Sequence, residues 1–217
     1  MKSYYLLILF LGISFLAKSQ KNKKWSLEVN YGLNGNFFVR SYDELGGPLN
    51  KTYLYKKNFL GTVAGLELKY HLNDHSSLIA GYSGSMNKGK KNYSGNINGV
   101  DIFITDFNIR HNNYFYQLAY ERRFHKLKPL FKYHFGLVLA KMNQQEIMIE
   151  NYDNLIAIDE RNFKNSKLQE GGVFGGIHLQ KKIDTNFEFG LRIRAYYLIS
   201  VNALESITFT PTLSYSF

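Results

Sequence analysis

The chain has 217 residues, 45% of them hydrophobic and 16% aromatic, no cysteine, and a formal net charge of +10. That length suits one domain with a full core, and 17 Tyr and 17 Phe against a single Trp favour strands. The missing cysteine excludes a disulfide scaffold and a lipid-anchored N-terminal cysteine.

Residues 1–19 have the composition of a signal peptide. Lys2 supplies the positive end, Tyr4 to Leu16 is an apolar run, and Ala17-Lys18-Ser19 places small residues at the cleavage positions before Gln20. The apolar run falls short of the roughly 20 residues a spanning helix needs, so a retained anchor is the weaker alternative. Cleavage removes Lys2 and Lys18 and lowers the charge from +10 to +8. An exported chain without a helix-turn-helix, zinc or RNA-binding signature has no nucleic acid to meet. The remaining basic excess suits anionic lipid headgroups or lipopolysaccharide phosphates, and serves equally as solubilising loop charge.

After a spacer at residues 20–24, period-two alternation begins at Trp25. Trp25, Leu27, Val29, Tyr31, Leu33 and Phe37 share one parity, and Ser26, Glu28, Asn30, Asn34 and Asn36 the other. Residues 39–57 read as a polar loop around Gly46-Gly47-Pro48. The second strand, 58–72, sets Leu60, Leu66, Leu68 and Tyr70 against Glu67, Lys69 and His71, and Asn73 to Ser76 forms a tight turn. The third strand, 77–86, carries Leu78, Ala80, Tyr82 and Met86 on its apolar side. Residues 87–112 form the next long connection; its first half is rich in Lys, Asn and Gly, whereas Val100 to Ile109 suits a strand above a membrane.

The fourth strand, 113–124, opposes Tyr114, Tyr116, Leu118, Tyr120 and Phe124 to Gln117, Glu121 and Arg123. A short turn leads to the fifth, 129–140, which opposes Phe131, Tyr133, Phe135, Leu137 and Leu139 to Lys132 and His134. The third long connection, 141–167, contains a stretch at 146–159 apolar enough for a hairpin. Glycines dilute the sixth strand, 168–183, but Val173, Ile177, Leu179 and Ile183 still oppose His178 and Gln180. The seventh, 187–198, opposes Phe187, Phe189, Leu191, Ile193 and Tyr197 to Glu188, Arg192 and Arg194. The eighth, 206–217, alternates Ile207, Phe209, Pro211, Leu213, Tyr215 and Phe217 with Ser and Thr only. Pro211 has no ladder N–H, which predicts a bulge there.

Alternation of this kind fits a soluble sandwich or a closed barrel. The loops decide between them, because the connections after strands one, three and five are long and those after two, four and six very short. The predicted fold is an all-β, eight-stranded antiparallel up-and-down transmembrane barrel over residues 25–217, with both ends in the periplasm and the last strand paired to the first. On this leader, strand count, loop asymmetry and terminal Thr-Leu-Ser-Tyr-Ser-Phe, the chain resembles the small eight-stranded outer-membrane barrels of Gram-negative bacteria, of the OmpA-transmembrane-domain, OmpX and PorT-like kinds. The resemblance implies an outer-membrane location and a monomer, and makes Tyr215 and Phe217 a signal for the barrel-assembly machinery.

Inward positions collect Glu28, Glu67, Lys69, Glu121, Arg123, Lys132, His134, Glu188, Arg192 and Arg194. Side chains nearly fill an eight-stranded barrel, and buried charges are costly unless paired, so an ion-paired plug is expected; a gated ion path is the functional alternative. Lys88, Lys90 and Lys91 in the second outer connection suit lipopolysaccharide phosphates or an extracellular protein. The resemblance also brings in lipid A acyltransferases and deacylases, whose chemistry needs a His-activated serine. His75-Ser76-Ser77 falls at the wrong end for that, and His111 with Asp101 and Asp106 has no clear serine. The functional expectation is therefore a structural or interaction role, with a lipid A-modifying enzyme as the runner-up and a narrow channel or export accessory third. No cofactor or metal site is implied by the spacing of His, Asp and Glu.

Overall fold

A computed structural model describes residues 24–36, 51–54, 60–97, 99–124, 131–144, 146–152, 155–161, 167–200 and 202–217. The expected leader, Phe37 with most of the first long connection, and the turn at 125–130 lie outside the described residues. Eleven strands occur among the described residues: β1 (Trp25–Asn36), β2 (Lys51–Leu54), β3 (Leu60–Asn73), β4 (Ser76–Ile97), β5 (Val100–Arg123), β6 (Phe131–Gln144), β7 (Glu146–Tyr152), β8 (Leu155–Arg161), β9 (Lys167–Lys182), β10 (Phe187–Leu198) and β11 (Ala203–Ser216).

Eight of them close a barrel in the order β1-β11-β10-β9-β6-β5-β4-β3, with β3 returning to β1. Every neighbouring pair is antiparallel, which is the up-and-down barrel expected from the alternation. The last strand does pair with the first, from Ser26↔Ser216 to Asn36↔Ser206, and the Phe217 N–H donates to the Trp25 carbonyl at 3.0 Å.

Outward positions are aliphatic and aromatic around the whole wall, with Tyr31, Leu118 and Leu137 each 65% exposed. An apolar patch that encircles a molecule is far beyond what a soluble surface tolerates. Aromatic pairs edge this belt. Trp25–Tyr70, Phe124–Phe131 and Phe187–Tyr215 lie at the short-turn end, with ring centroids 4.8, 5.5 and 5.0 Å apart. Tyr82 lies near Tyr116 (5.2 Å) and Tyr114 (6.3 Å) at the other end. The ten residue steps from Tyr114 to Phe124, along and just past β5, rise about 26 Å at the usual strand tilt, close to the roughly 25 Å apolar band of such barrels. The wall is built to cross a bilayer.

Three expectations need correction. In the connection at 87–112 the strand expected at Val100–Ile109 forms as part of β5, but the first half is strand as well: β4 and β5 have 22 and 24 residues and stay paired out to Ile97↔Val100. Turn chemistry overrides the weak strand composition there. Asn96 Oδ1 accepts from the Gly99 N–H at 2.8 Å, Asn96 Nδ2 donates to Asp101 at 2.7 Å, and Gly99 takes a φ of 86°. A bulge at Lys91/Tyr93 is held by the Asp106 N–H on Asn92 Oδ1 at 2.9 Å.

Residues 51–54, expected within a loop, form β2 and pair with β7 from Lys51↔Glu150 to Leu54↔Ile147. β7 and β8 make the hairpin expected at 146–159, so β2-β7-β8 is a second sheet on the long-connection side. Finally, Pro211 causes no bulge. The β1–β11 register is unchanged on either side of it, from Asn30↔Thr212 to Leu33↔Phe209, and only the ladder is interrupted. A missing N–H removes a bond without requiring an extra residue. The shift in β10–β11 lies instead at Tyr196/Tyr197, where Glu205 and Ser206 are both buried.

Candidate functional site

The polar parity of the strands builds the lumen, and the largest charged side chains meet at one level of it. Glycines make the room. A Cβ on Gly176 would run into the Ile193 carbonyl of the neighbouring strand and lie 2.8 Å from His134 Nε2, so only a residue without a side chain fits beside that imidazole.

Arg192 lies at the centre, with Nη1 2.6 Å from both Glu28 Oε1 and Glu67 Oε2. Glu67 bridges onward to Arg194 Nη1 through its other oxygen at 2.7 Å. Arg194 also donates to Gln117 Oε1 and, at 2.9 Å, to His134 Nε2. Lys69 sits 2.8 Å from Glu28 and 3.4 Å from Glu121. Lys132 lies 3.6 Å from Glu121 and donates to Gln180 at 2.7 Å. His178 completes the group, 3.3 Å from Glu121 Oε2 and 3.0 Å from Thr212 Oγ1. Each of the three carboxylates thus touches at least two cations, and all three are buried. Truncating one partner of such a group strands the others in low dielectric.

Eight of the ten expected lumen residues meet in this way: Glu28, Glu67, Lys69, Glu121, Lys132, His134, Arg192 and Arg194. Arg123 and Glu188 lie lower, where with Lys24, His71 and Lys182 they line an open cavity of about 890 Å³ at the short-turn mouth. Gln117, Gln180 and Thr212 were legible only as polar inward positions; nothing in the sequence pairs them with these partners.

Sequence reasoning missed the layer above. Along β10 four successive inward positions read Arg192, Arg194, Tyr196, Leu198, so charge gives way to apolar bulk toward the long-connection end. Tyr196 stacks on Phe115 and Phe174 with centroids 4.6 and 5.5 Å away, among buried Val138, Ala140, Met142 and Leu198. The Arg194 guanidinium lies 4.7 Å from the Phe174 centroid, which joins the two layers by a cation–π contact. Across the lumen, Asn34 donates to Asn87 at 2.9 Å and Asn113 to Glu205 at 2.6 Å. Ion pairs, stacked rings and amide bridges fill the section in turn.

The catalytic candidates do not assemble. Asp101 and Asp106 share β5 with His111 but stand ten and five residues along it, about 34 and 17 Å away at strand rise. Asp101 bonds Asn96, and Asp106 lies 3.9 Å from Lys90. At the other end, His71 bridges Ser26 (3.1 Å) and Ser77 (2.8 Å), a chain of neutral partners. Lys88 and Lys90 are exposed on the outward face of β4. Lys91 pairs with Phe107 through the backbone, and its side chain lies outside the described residues. Tyr215 and Phe217 stack at 6.3 Å beside the barrel seam.

No protein-family model matches the chain, and no curated protein matches it. Among solved structures the chain is similar to Neisserial surface protein A, with 11% identity and a TM-score of 0.47 over 89% of this chain and 97% of that one. It is also similar to Ail, the attachment invasion locus protein of Yersinia pestis, in complex with the heparin analogue sucrose octasulfate (10%, TM-score 0.49, 89% and 99%). The N-terminal β-barrel domain of Pseudomonas aeruginosa OprF is a third (14%, TM-score 0.42, 88% and 97%). These likenesses concern the course of the chain alone.

Proposed function

We propose that this chain is an outer-membrane barrel with a closed lumen that works at the cell surface, as an interaction or envelope-supporting protein rather than an enzyme or pore. In this reading the leader at residues 1–19 exports it, Tyr215 and Phe217 address it to the assembly machinery, and it stays a monomer. The short turns and both ends of the barrel face the periplasm. The β4–β5 hairpin and the sheet β2-β7-β8 face outward, where Lys88 and Lys90 meet lipopolysaccharide phosphates and the hairpin is open to an extracellular protein.

One observation carries the reading. β4 and β5 continue as paired strands well beyond the Tyr82–Tyr114 edge of the belt, to Ile97 and Val100. At about 2.6 Å of rise per tilted residue, the hairpin tip stands some 35 Å above that edge. Ordered structure projecting so far is of no use to a sealed anchor alone. The native chain has no cysteine, so single thiols at Ser94→Cys and Asp74→Cys report each end separately. A membrane-impermeant maleimide applied to intact cells is expected to label the first only, and the second only after permeabilisation. Labelling of Asp74→Cys alone in intact cells would invert the orientation and overturn the proposal.

A further inference from the structure

Beneath the projecting hairpin, the outward face of β5, β6 and β9 is not level. In register, Tyr120 stands beside Phe135, Phe135 beside Gly175, and Gly175 beside Ala195. Gly175 thus leaves a gap in the outward face beside Phe135. The result is an apolar groove of about 780 Å³, walled by Leu118, Tyr120, Phe135, Leu137 and Val173 and floored at Gly136 and Gly175. Leu118 and Tyr120 are four and six residues below Tyr114, so the groove lies about 10–16 Å inside the upper aromatic edge. That is the depth of one leaflet's acyl chains in a core about 30 Å thick.

The same strands carry a cationic set above the edge. Lys88 and Arg110 are directly opposite on β4 and β5, on the outward parity and exposed. An anion placed between them makes a charge-assisted contact with each. Lys141, opposite Tyr114 on β6, adds a third cation on the outward parity at the edge itself. Tyr82, Tyr114 and Tyr116 lie between cations and groove and offer amphipathic rings at the depth where headgroup meets chain.

We infer that this wall is a discrete site for one phosphorylated glycolipid of the outer leaflet. Its phosphate sits between Lys88 and Arg110 with Lys141 below, and one acyl chain lies in the Gly175 groove. The leaflet assignment rests on the surface orientation proposed above; the binding itself does not. Charge complementarity selects the headgroup, and the groove beneath selects an amphiphile over a soluble phosphate.

The test uses the full purified barrel in a non-ionic detergent, titrated with bisphosphorylated lipid A, its fully dephosphorylated form, and phosphatidylglycerol, with bound lipid read by native mass spectrometry. The wild type is expected to hold the bisphosphorylated lipid at least about tenfold more tightly than the other two, the size of losing one charge-assisted contact. The double variant Lys88→Gln/Arg110→Gln is expected to abolish that preference. Gly175→Phe fills the groove, and a Cβ there meets only the His134 carbonyl at 3.6 Å, an ordinary contact, so the barrel still folds. It is expected to weaken both lipid A forms about fivefold while keeping the phosphate preference. Lys182→Gln at the opposite mouth is the control and leaves all three affinities unchanged. Equal binding of both lipid A forms, an unaltered preference in the double variant, or no effect of Gly175→Phe would overturn the site. Phosphatidylglycerol binding as well as lipid A would reduce it to a generic anionic surface and overturn the glycolipid assignment. Because the binding is measured on isolated protein, these results are independent of the thiol-labelling pattern in cells.

Discussion

Glu67 holds two guanidinium groups at once, Arg192 at 2.6 Å and Arg194 at 2.7 Å, and all three side chains are buried. Glu67→Ala removes both contacts and leaves two like charges near each other without the carboxylate that joined them. Two charge-assisted bonds at about 1.5–3 kcal/mol each give roughly 3–6 kcal/mol. Broken buried pairs measure about 3–5 kcal/mol. Arg192 keeps Glu28, and Arg194 keeps Gln117 and His134, which places the cost near the low end. The expected loss is therefore about 3 kcal/mol, or on the order of a hundredfold in the folding equilibrium constant. Urea unfolding of barrels refolded into vesicles, read from the fluorescence of the single Trp at position 25, measures it. Lys182→Ala at the exposed mouth serves as the reference, with an expected change within about 0.5 kcal/mol. A cost below about 1 kcal/mol for Glu67→Ala would mean that water already solvates both arginines, and the ion-paired lumen would be refuted.

Gly176→Ala is expected to cost about 1–3 kcal/mol in the same unfolding assay, because the added Cβ runs into the Ile193 carbonyl of the neighbouring strand and meets His134 Nε2 at 2.8 Å; a neutral result would show that both the strand and the charged level give way at that point. Deleting Phe217 removes its backbone bond to Trp25 and its stack on Tyr215, a loss of only about 1 kcal/mol in vesicles. In cells the same deletion is expected to lower the inserted amount severalfold, read by fractionation. A fall in cells no larger than the loss of stability explains would remove the assembly role given to that residue.

The period-two alternation laid out the barrel because lipid and lumen impose opposite chemistry on neighbouring residues. The same pattern concealed the plug. Phe115 stands between Tyr114 and Tyr116, so an inward aromatic is lost among outward ones, although its parity marks it. β9 was faint because glycines stand on both of its faces, and at the inward Gly176 the room is taken by His134 from another strand. The β4 half of the outer hairpin hid behind Lys, Asn and Gly, residues that strands ordinarily disfavour and that a well-made turn at Asn96 to Gly99 can nevertheless hold in register. β2 was beyond reach, since its partner β7 lies nearly a hundred residues away and no local signal encodes that pairing. Charge inside the barrel was readable residue by residue, whereas who pairs with whom depends on the register of eight strands at once. The Lys88–Arg110 juxtaposition has the same origin: it exists only because residues 87–97, loop-like in composition, run antiparallel to β5.

The central claim is that the lumen is closed by paired charge below and stacked rings above, so that the protein acts through its outer surfaces. Single-molecule conductance of the purified, folded barrel in a planar bilayer tests this directly. The account predicts no steady current at moderate voltage, in either orientation of insertion. Stable, voltage-independent openings by the wild-type barrel would contradict it, because a sustained current needs a water-filled path where the structure places Arg192, Arg194, Phe174 and Tyr196 in contact.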